Sequence, residues 1–239
     1  MPNMGTIEAI ERAKAYPFRR PECSYVFTHH HERLLEGHPD TWELDLGHLT
    51  AVFGYGSNPS PVSLAHKFAS IPEVHIPVIR FELHDFDAVY SSHVSAGYVP
   101  ATLLPSPGTV LQGFMTYLND EELELMDQSE SRGENYERVN IPEAEGYFED
   151  GSRRDGLTTY MGLHGTIQVD GSPVAVEDTE ATGRQFQSLP QAEMLDRVIE
   201  QVAPGTPHDE FIGTAVANRT QRRSWTSALK QTSLSNPGT

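Results

Sequence analysis

Two short stretches carry the residues equipped for chemistry: Gly54-Tyr55-Gly56-Ser57-Asn58, and the acidic segment Leu125-Met126-Asp127-Gln128-Ser129-Glu130 with its continuation to Tyr136. In the first, an apolar β-type run, Leu49 to Phe53, drops into Gly-x-Gly, and a helix-like segment follows Pro59. Two glycines let the backbone turn so that successive N–H groups point into one hollow, an anion-binding nest. Ser57 and Asn58 add side-chain donors where a helix would be capped. In the second, a carboxylate, Glu130, follows an acidic helix and precedes a Gly/Asn turn. An anion cradle together with a single carboxylate suits proton transfer on a substrate that is itself charged.

Other clusters fit chemistry less well. His29-His30-His31-Glu32 has adjacent histidines that point in different directions and lacks paired metal-ligand spacing, so it reads as a polar loop and no metal is expected. His84-Asp85-Phe86-Asp87 suits local turn hydrogen bonding. His93 lies near the expected pocket wall, and Arg80 reads as a surface ion-pair residue. A nucleophilic role for Ser57 would need a Gly-x-Ser-x-Gly elbow, and Asn58 stands where the last glycine would be. Cys23, the single cysteine, excludes an internal disulfide and reads as structural.

The elements that must position these residues mix strands and helices without strict alternation. A helix is expected over Ile7 to Tyr16, β character at Tyr25 to Thr28, and strands at Leu49 to Tyr55, Ile76 to Phe81, Asp87 to Tyr90, Val99 to Leu104, Val110 to Leu118, Tyr136 to Ile141 and Leu157 to Leu163. Turns are expected at Leu83 to Phe86 and Pro105 to Gly108. Helices are expected at Val62 to Phe68, from an Asn119 N-cap to about Gln128, and at Gln191 to Val202. The class is therefore α+β, with a small mixed, curled β-sheet or closed barrel and surrounding helices. One domain spans 1–239: an N-terminal extension over 1–48, a core over 49–170 and a mainly helical C-terminal segment over 171–239.

Thirty-four acidic against seventeen basic residues give a charge of −17, which argues against nucleic-acid and anionic-membrane partners. No apolar run reaches the ~20 residues needed to span a bilayer. The first residues lack the apolar centre of a secretion signal, and a cytoplasmic location is expected. No acidic residue follows Glu210, while Arg219, Arg222, Arg223 and Lys230 follow it. That segment reads as a surface helix docked on an acidic body, with a frayed tail from about Ser233.

Taken together, Gly54 to Asn58 after a strand, the block from Gly108 through Asp120–Asp127 to Glu130 and Tyr136-Glu137-Arg138, and Thr159-Tyr160-Met161 resemble the γ-glutamylcyclotransferase-like superfamily, which includes butirosin-type deglutamylases and avirulence-induced plant proteins. The resemblance covers roughly residues 49 to 165. It implies Glu130 as the catalytic glutamate, the loop Tyr55, Gly56, Ser57 and Asn58 as the holder of a γ-glutamyl group, and Tyr136 and Tyr160 as pocket tyrosines. The family usually has glycine after the catalytic glutamate, where this chain has Ser131. If that position needs a positive φ, serine costs about 1 kcal/mol there.

The implied reaction closes a γ-glutamyl amide on itself. The substrate's α-amine attacks its own γ-carbonyl, giving 5-oxoproline and a free amine. Because the nucleophile is tethered, orientation can supply a large part of the ~7–11 kcal/mol available to such effects. One carboxylate suffices for the proton transfers, and no metal, nucleotide or other cofactor is called for. The expected partner is a small-molecule γ-glutamyl substrate, with discrimination on the leaving-amine side shaped by the N- and C-terminal segments. Alternatives are another amide or carbamate reaction on the same scaffold, as in allophanate-type decarboxylating domains, or a non-catalytic binding or regulatory protein of this fold.

Overall fold

A computed structural model describes residues 4–230; the tail expected to fray from Ser233 lies outside them. Five strands close into a barrel: β3 (Thr50–Gly54), β4 (Ile76–Tyr90), β5 (Ala101–Leu118), β6 (Tyr136–Phe148) and β7 (Arg153–Gly162), after the short β1 (Tyr25–Phe27) and β2 (Glu32–Leu34). Around the ring β5 pairs with β3, β3 with β7, β7 with β6, β6 with β4, and β4 again with β5. The β3–β7 pairing is parallel and the others are antiparallel. The α+β class with a closed barrel is thus present. β1 and β2 extend the sheet beyond β4.

Alternation along the strands sorts side chains into two cores. Val52, Val78 and Phe114 join Leu64 of α2 (Pro61–Lys67), Phe68 just past its end and Met126 of α3 (Asp120–Ser129) in one cluster. Their neighbours Phe53, Ile79 and Met115 belong to the other. That second cluster also takes Ile10 and Ala13 of α1 (Met4–Lys14) and the apolar faces of α4 (Gln191–Val202), α5 (His208–Ala217) and α6 (Arg219–Lys230). None of the described helices is long and apolar enough to cross a membrane.

Two expected turns are bends inside long strands. β4 runs unbroken through His84-Asp85-Phe86, with a bulge there and Asp85 at φ +62°. β5 likewise runs through Pro105-Ser106-Pro107-Gly108, with Pro105 opposite Phe86. The two irregularities face each other, and Gly108 donates its N–H to Asp85 Oδ1 at 2.7 Å. Turn-forming residues bend a paired strand as readily as they end one. The C-terminal segment also holds short strands before its helices, from Ser172–Pro173 to Ser188–Leu189.

Candidate active site

Glu130 is placed by the helix before it. Asn119 caps α3: its Oδ1 accepts the Glu122 N–H at 3.0 Å, and Glu122 Oε2 accepts the Asn119 N–H at 2.8 Å. The opposite end closes with Ser131 N–H donating to Gln128 O at 3.0 Å and Arg132 N–H to Asp127 O at 3.1 Å. This is the Schellman pattern, which needs a left-handed residue just past the helix. Ser131 occupies it at φ +50°. The glycine-preferring position inferred from the resemblance is therefore a left-handed one.

Asp127 locks this helix end to the barrel. Arg138 of β6 reaches both its oxygens, at 2.9 and 3.2 Å, Arg132 donates at 3.1 Å, and the Tyr160 hydroxyl donates at 2.6 Å. Burial disfavours its charge, but the Arg138, Tyr160 and Arg132 hydrogen bonds outweigh that and hold the Asp127 carboxyl below the usual carboxylate range.

The loop after β3 reaches the same place through strand pairing. Phe53 of β3 lies opposite Thr159 of β7 in parallel register, so the residues that follow, Gly54 to Asn58 and Tyr160, emerge side by side. The Tyr55 hydroxyl donates to the Tyr160 carbonyl at 2.6 Å. Neither Gly54 nor Gly56 adopts a positive φ. Their lack of a side chain serves close approach: a Cβ on Gly54 would sit 2.8 Å from Pro59 Cδ, and one on Gly56 3.1 Å from Tyr16 Oη. The helix cap also lies further on, at Ser60, so Ser57 and Asn58 are not used in capping α2. In the turns and loops, the Gly56, Ser57 and Asn58 N–H groups donate to no backbone carbonyl among the described residues.

All seven residues singled out in the sequence line one cavity of about 340 Å3: Glu130, Tyr55, Gly56, Ser57, Asn58, Tyr136 and Tyr160. The tyrosines are buried and their hydroxyls engaged by protein. Tyr136 donates to the Ala101 carbonyl at 2.8 Å, whose own N–H donates to Tyr16 Oη at 2.8 Å. Burial pushes the Tyr55, Tyr136 and Tyr160 hydroxyls well up, so they stay protonated donors that fix the cavity's shape.

Lys67, at the end of α2, was not anticipated. Its Nζ donates to Glu130 and, at 2.6 Å, to Ser129 Oγ, and the two side chains of the ion pair are only 10% and 12% exposed. The available signal was spacing: Ser63 and Lys67 fall one helical turn apart on the helix after the loop, and both line the cavity. From the N-terminal segment, expected to shape the leaving-amine side, Arg12, Tyr16 and Phe18 also line it. Among the described lining residues, Glu130 is the only carboxylate.

The clusters set aside above are elsewhere. His29 bonds the Ile71 carbonyl at 2.7 Å, and no group of His, Cys, Asp and Glu fit for a metal occurs among the described residues. Arg80 pairs with Glu180 at 3.2 Å. His93 stands in the cavity wall, its Nδ1 3.2 Å from Ser91 Oγ. Arg219 and Arg223 bind Glu134 at 2.8 and 2.6 Å, as a basic helix docked on an acidic body would.

No protein-family model and no curated protein matches this sequence. Among solved structures it is similar to a γ-glutamyl cyclotransferase (21% identity, TM-score 0.39), over 47% of this chain and 66% of that one, just under two thirds of that relative's length. It is also similar to an uncharacterised human protein (19% identity, TM-score 0.40, 53% of this chain and 70% of that one). A third is a yeast γ-glutamyl cyclotransferase specific to glutathione (16% identity, TM-score 0.33, 77% and 97%). The chemistry assigned to this chain rests on its own cavity.

Proposed function

We propose that this chain is a γ-glutamylcyclotransferase-type enzyme, converting a γ-glutamyl amide to 5-oxoproline and a free amine with Glu130 as general acid/base. The observation that carries the reading is the cavity itself, in which a near-buried carboxylate–ammonium pair, Glu130 and Lys67, shares one wall system with the Gly56–Asn58 loop. Such a pair is complementary to a zwitterion. The substrate's α-ammonium replaces Lys67 as the partner of Glu130, and its α-carboxylate is received by Lys67 and the loop donors.

From that arrangement the reaction runs without a covalent enzyme intermediate. Glu130 accepts a proton from the α-ammonium, and the freed amine nitrogen attacks the γ-carbonyl carbon, forming the ring C–N bond. The oxyanion that develops is stabilised by the loop N–H groups. Glu130 then returns that proton to the leaving nitrogen as the amide C–N bond breaks, and takes the second proton from the ring nitrogen and passes it to the released amine, which departs as an ammonium. Atoms balance: one amide is lost, one lactam gained, and no water is consumed.

The carbamate alternative would ask for another polar residue in the place of Glu130 or a second acid nearby, and the described cavity lining holds one carboxylate, Glu130 itself. A binding module would be consistent with a Glu130 turned to solvent, whereas its side chain is 12% exposed. The test is release of 5-oxoproline from a panel of γ-glutamyl amines, amino acids and peptides by the wild type and by Glu130→Gln. Removing a general acid/base lowers kcat by about 10²–10⁴-fold. Equal rates in the two proteins, or glutamate as the product, would overturn the reading.

A further inference from the structure

A separate part of the cavity lining does not enter the acid/base chemistry above. It comes from the N-terminal segment, with Arg12, Tyr16 and Phe18, and from the connection between β4 and β5, with Ser95, Ala96 and Tyr98. The three rings form one cluster. Tyr16 stacks on Tyr98 with centroids 4.4 Å apart at 12°, and Phe18 meets both edge-on at 6.1 and 6.3 Å. Tyr16 is buried, while Phe18 and Tyr98 keep part of their surface open.

Phe18 also sits at φ +67°, a conformation that aromatic side chains rarely adopt. Strained positions of this kind persist where the surroundings over-determine them, and they cluster at ligand sites. Here the strain turns an apolar ring toward a polar cavity.

Charge points the same way. Lys67 and Glu130 neutralise each other, and the zwitterionic end of a γ-glutamyl group matches them one for one. Arg12 is exposed, lines the same cavity, and forms no ion pair among the described residues. It leaves one positive charge over on the cavity of a chain whose net charge is −17. A second negative charge on the substrate has to lie on the amine that departs.

Resting on the proposed reaction, we infer that Arg12, Phe18 and Tyr98 form the leaving-amine subsite and select an amine that carries both an aromatic side chain and a carboxylate. The rings offer stacking or edge-to-face contact, and the guanidinium offers a planar two-point partner for the carboxylate. The C-terminal helices line no part of this cavity; α5 serves it indirectly, by packing on α1. The expectation that both termini shape the leaving side is thus narrowed to the N-terminal one.

The test compares γ-glutamyl-phenylalanine, γ-glutamyl-alanine and γ-glutamyl-phenethylamide in the wild type, Arg12→Gln and Phe18→Gly, the glycine being chosen because it accepts the positive φ without strain. In the wild type, kcat/KM should favour phenylalanine over alanine, and phenylalanine over phenethylamide, each by about tenfold. Phe18→Gly should collapse the first ratio and Arg12→Gln the second. Ratios near one in the wild type, or variants that lower all three substrates alike, would overturn the inference while leaving the reaction standing. Calorimetric binding of the three compounds to Glu130→Gln separates the two claims. The same preferences in binding, with no 5-oxoproline formed by the wild type, would uphold the subsite and sink the reaction; binding without preference would sink the subsite.

Discussion

The Lys67–Glu130 pair decides how the site behaves at rest. With side chains about nine-tenths buried, each charge depends on the other for its solvation. Substrate binding therefore has to supply a replacement cation to Glu130 as it draws Lys67 away, which an α-ammonium does and a neutral amide does not. Replacing Lys67 by methionine should remove a charge-assisted hydrogen bond worth about 1.5–3 kcal/mol. In a chain of this size each kcal/mol shifts Tm by about 2–4 °C, and the loss is readable by thermal unfolding. KM should also rise for every γ-glutamyl substrate, because the α-carboxylate loses its partner; an unchanged KM would exclude Lys67 from substrate binding. Glu130 was legible in the sequence through the resemblance of its block to a known superfamily, since a glutamate after a helix is by itself a common surface feature. Lys67 was not, since the residues that face it lie sixty positions away in the chain.

At the level of elements, α3 acts as a bracket. The Asn119 cap fixes one end, the Schellman closure at Ser131 fixes the other, and Asp127 ties that end to Arg138 and Tyr160 on two barrel strands. A serine in the left-handed region is the weak point of the bracket. Ser131→Gly is accordingly expected to raise stability by about 0.5–1 kcal/mol, a gain of ~1–4 °C in Tm. A fall in Tm would mean that the serine side chain contributes a contact that outweighs its backbone strain. The cap and the helix were readable from Asn119 and the acidic first turn, as were most strands from their apolar runs. The joined strands β4 and β5 were not, because Asp85 and Pro105 to Gly108 look alike in a turn and in a bend, and only pairing across the hairpin distinguishes them. The close approach of the two loop glycines to Pro59 and Tyr16 is likewise a tertiary fact with no signal in the sequence.

Over the whole molecule, the barrel supplies a rigid rim on which loop, helix end and N-terminal segment converge, and the N-terminal part of that convergence had no sequence signal. Tyr16 meets its partner Ala101 across 85 positions. The molecule also carries an acid-sensitive seam. His93 and His164 lie with ring centroids 4.7 Å apart. Burial pushes both pKa values down, reinforced for His93 by His164 and for His164 by Lys230, with His164 lowered to about 4. A histidine near its ordinary value of 6.5 when unfolded binds a proton more readily unfolded than folded across this interval. Stability from this pair is thus fully present above about pH 6.5 and is lost as pH falls toward 4, with Asp127 adding loss below its ordinary range. Buried Asp87 and Glu122, whose carboxyls are pushed up, oppose this just above pH 4. Thermal unfolding from pH 7.5 to 4 should show Tm falling by several degrees, most steeply below pH 6.5. A rise across pH 6.5 to 5 would contradict the assignment of neutral buried histidines.

Whether the substrate's own amine is the nucleophile is the claim on which the account turns, and isotope labelling reads it directly. With γ-glutamyl-phenylalanine turned over in H₂¹⁸O and the products resolved by mass spectrometry, attack by the tethered amine gives 5-oxoproline without ¹⁸O and one equivalent of phenylalanine. Glutamate carrying one ¹⁸O would instead show that water attacks the carbonyl, and the assignment of this cavity to intramolecular cyclisation would be wrong.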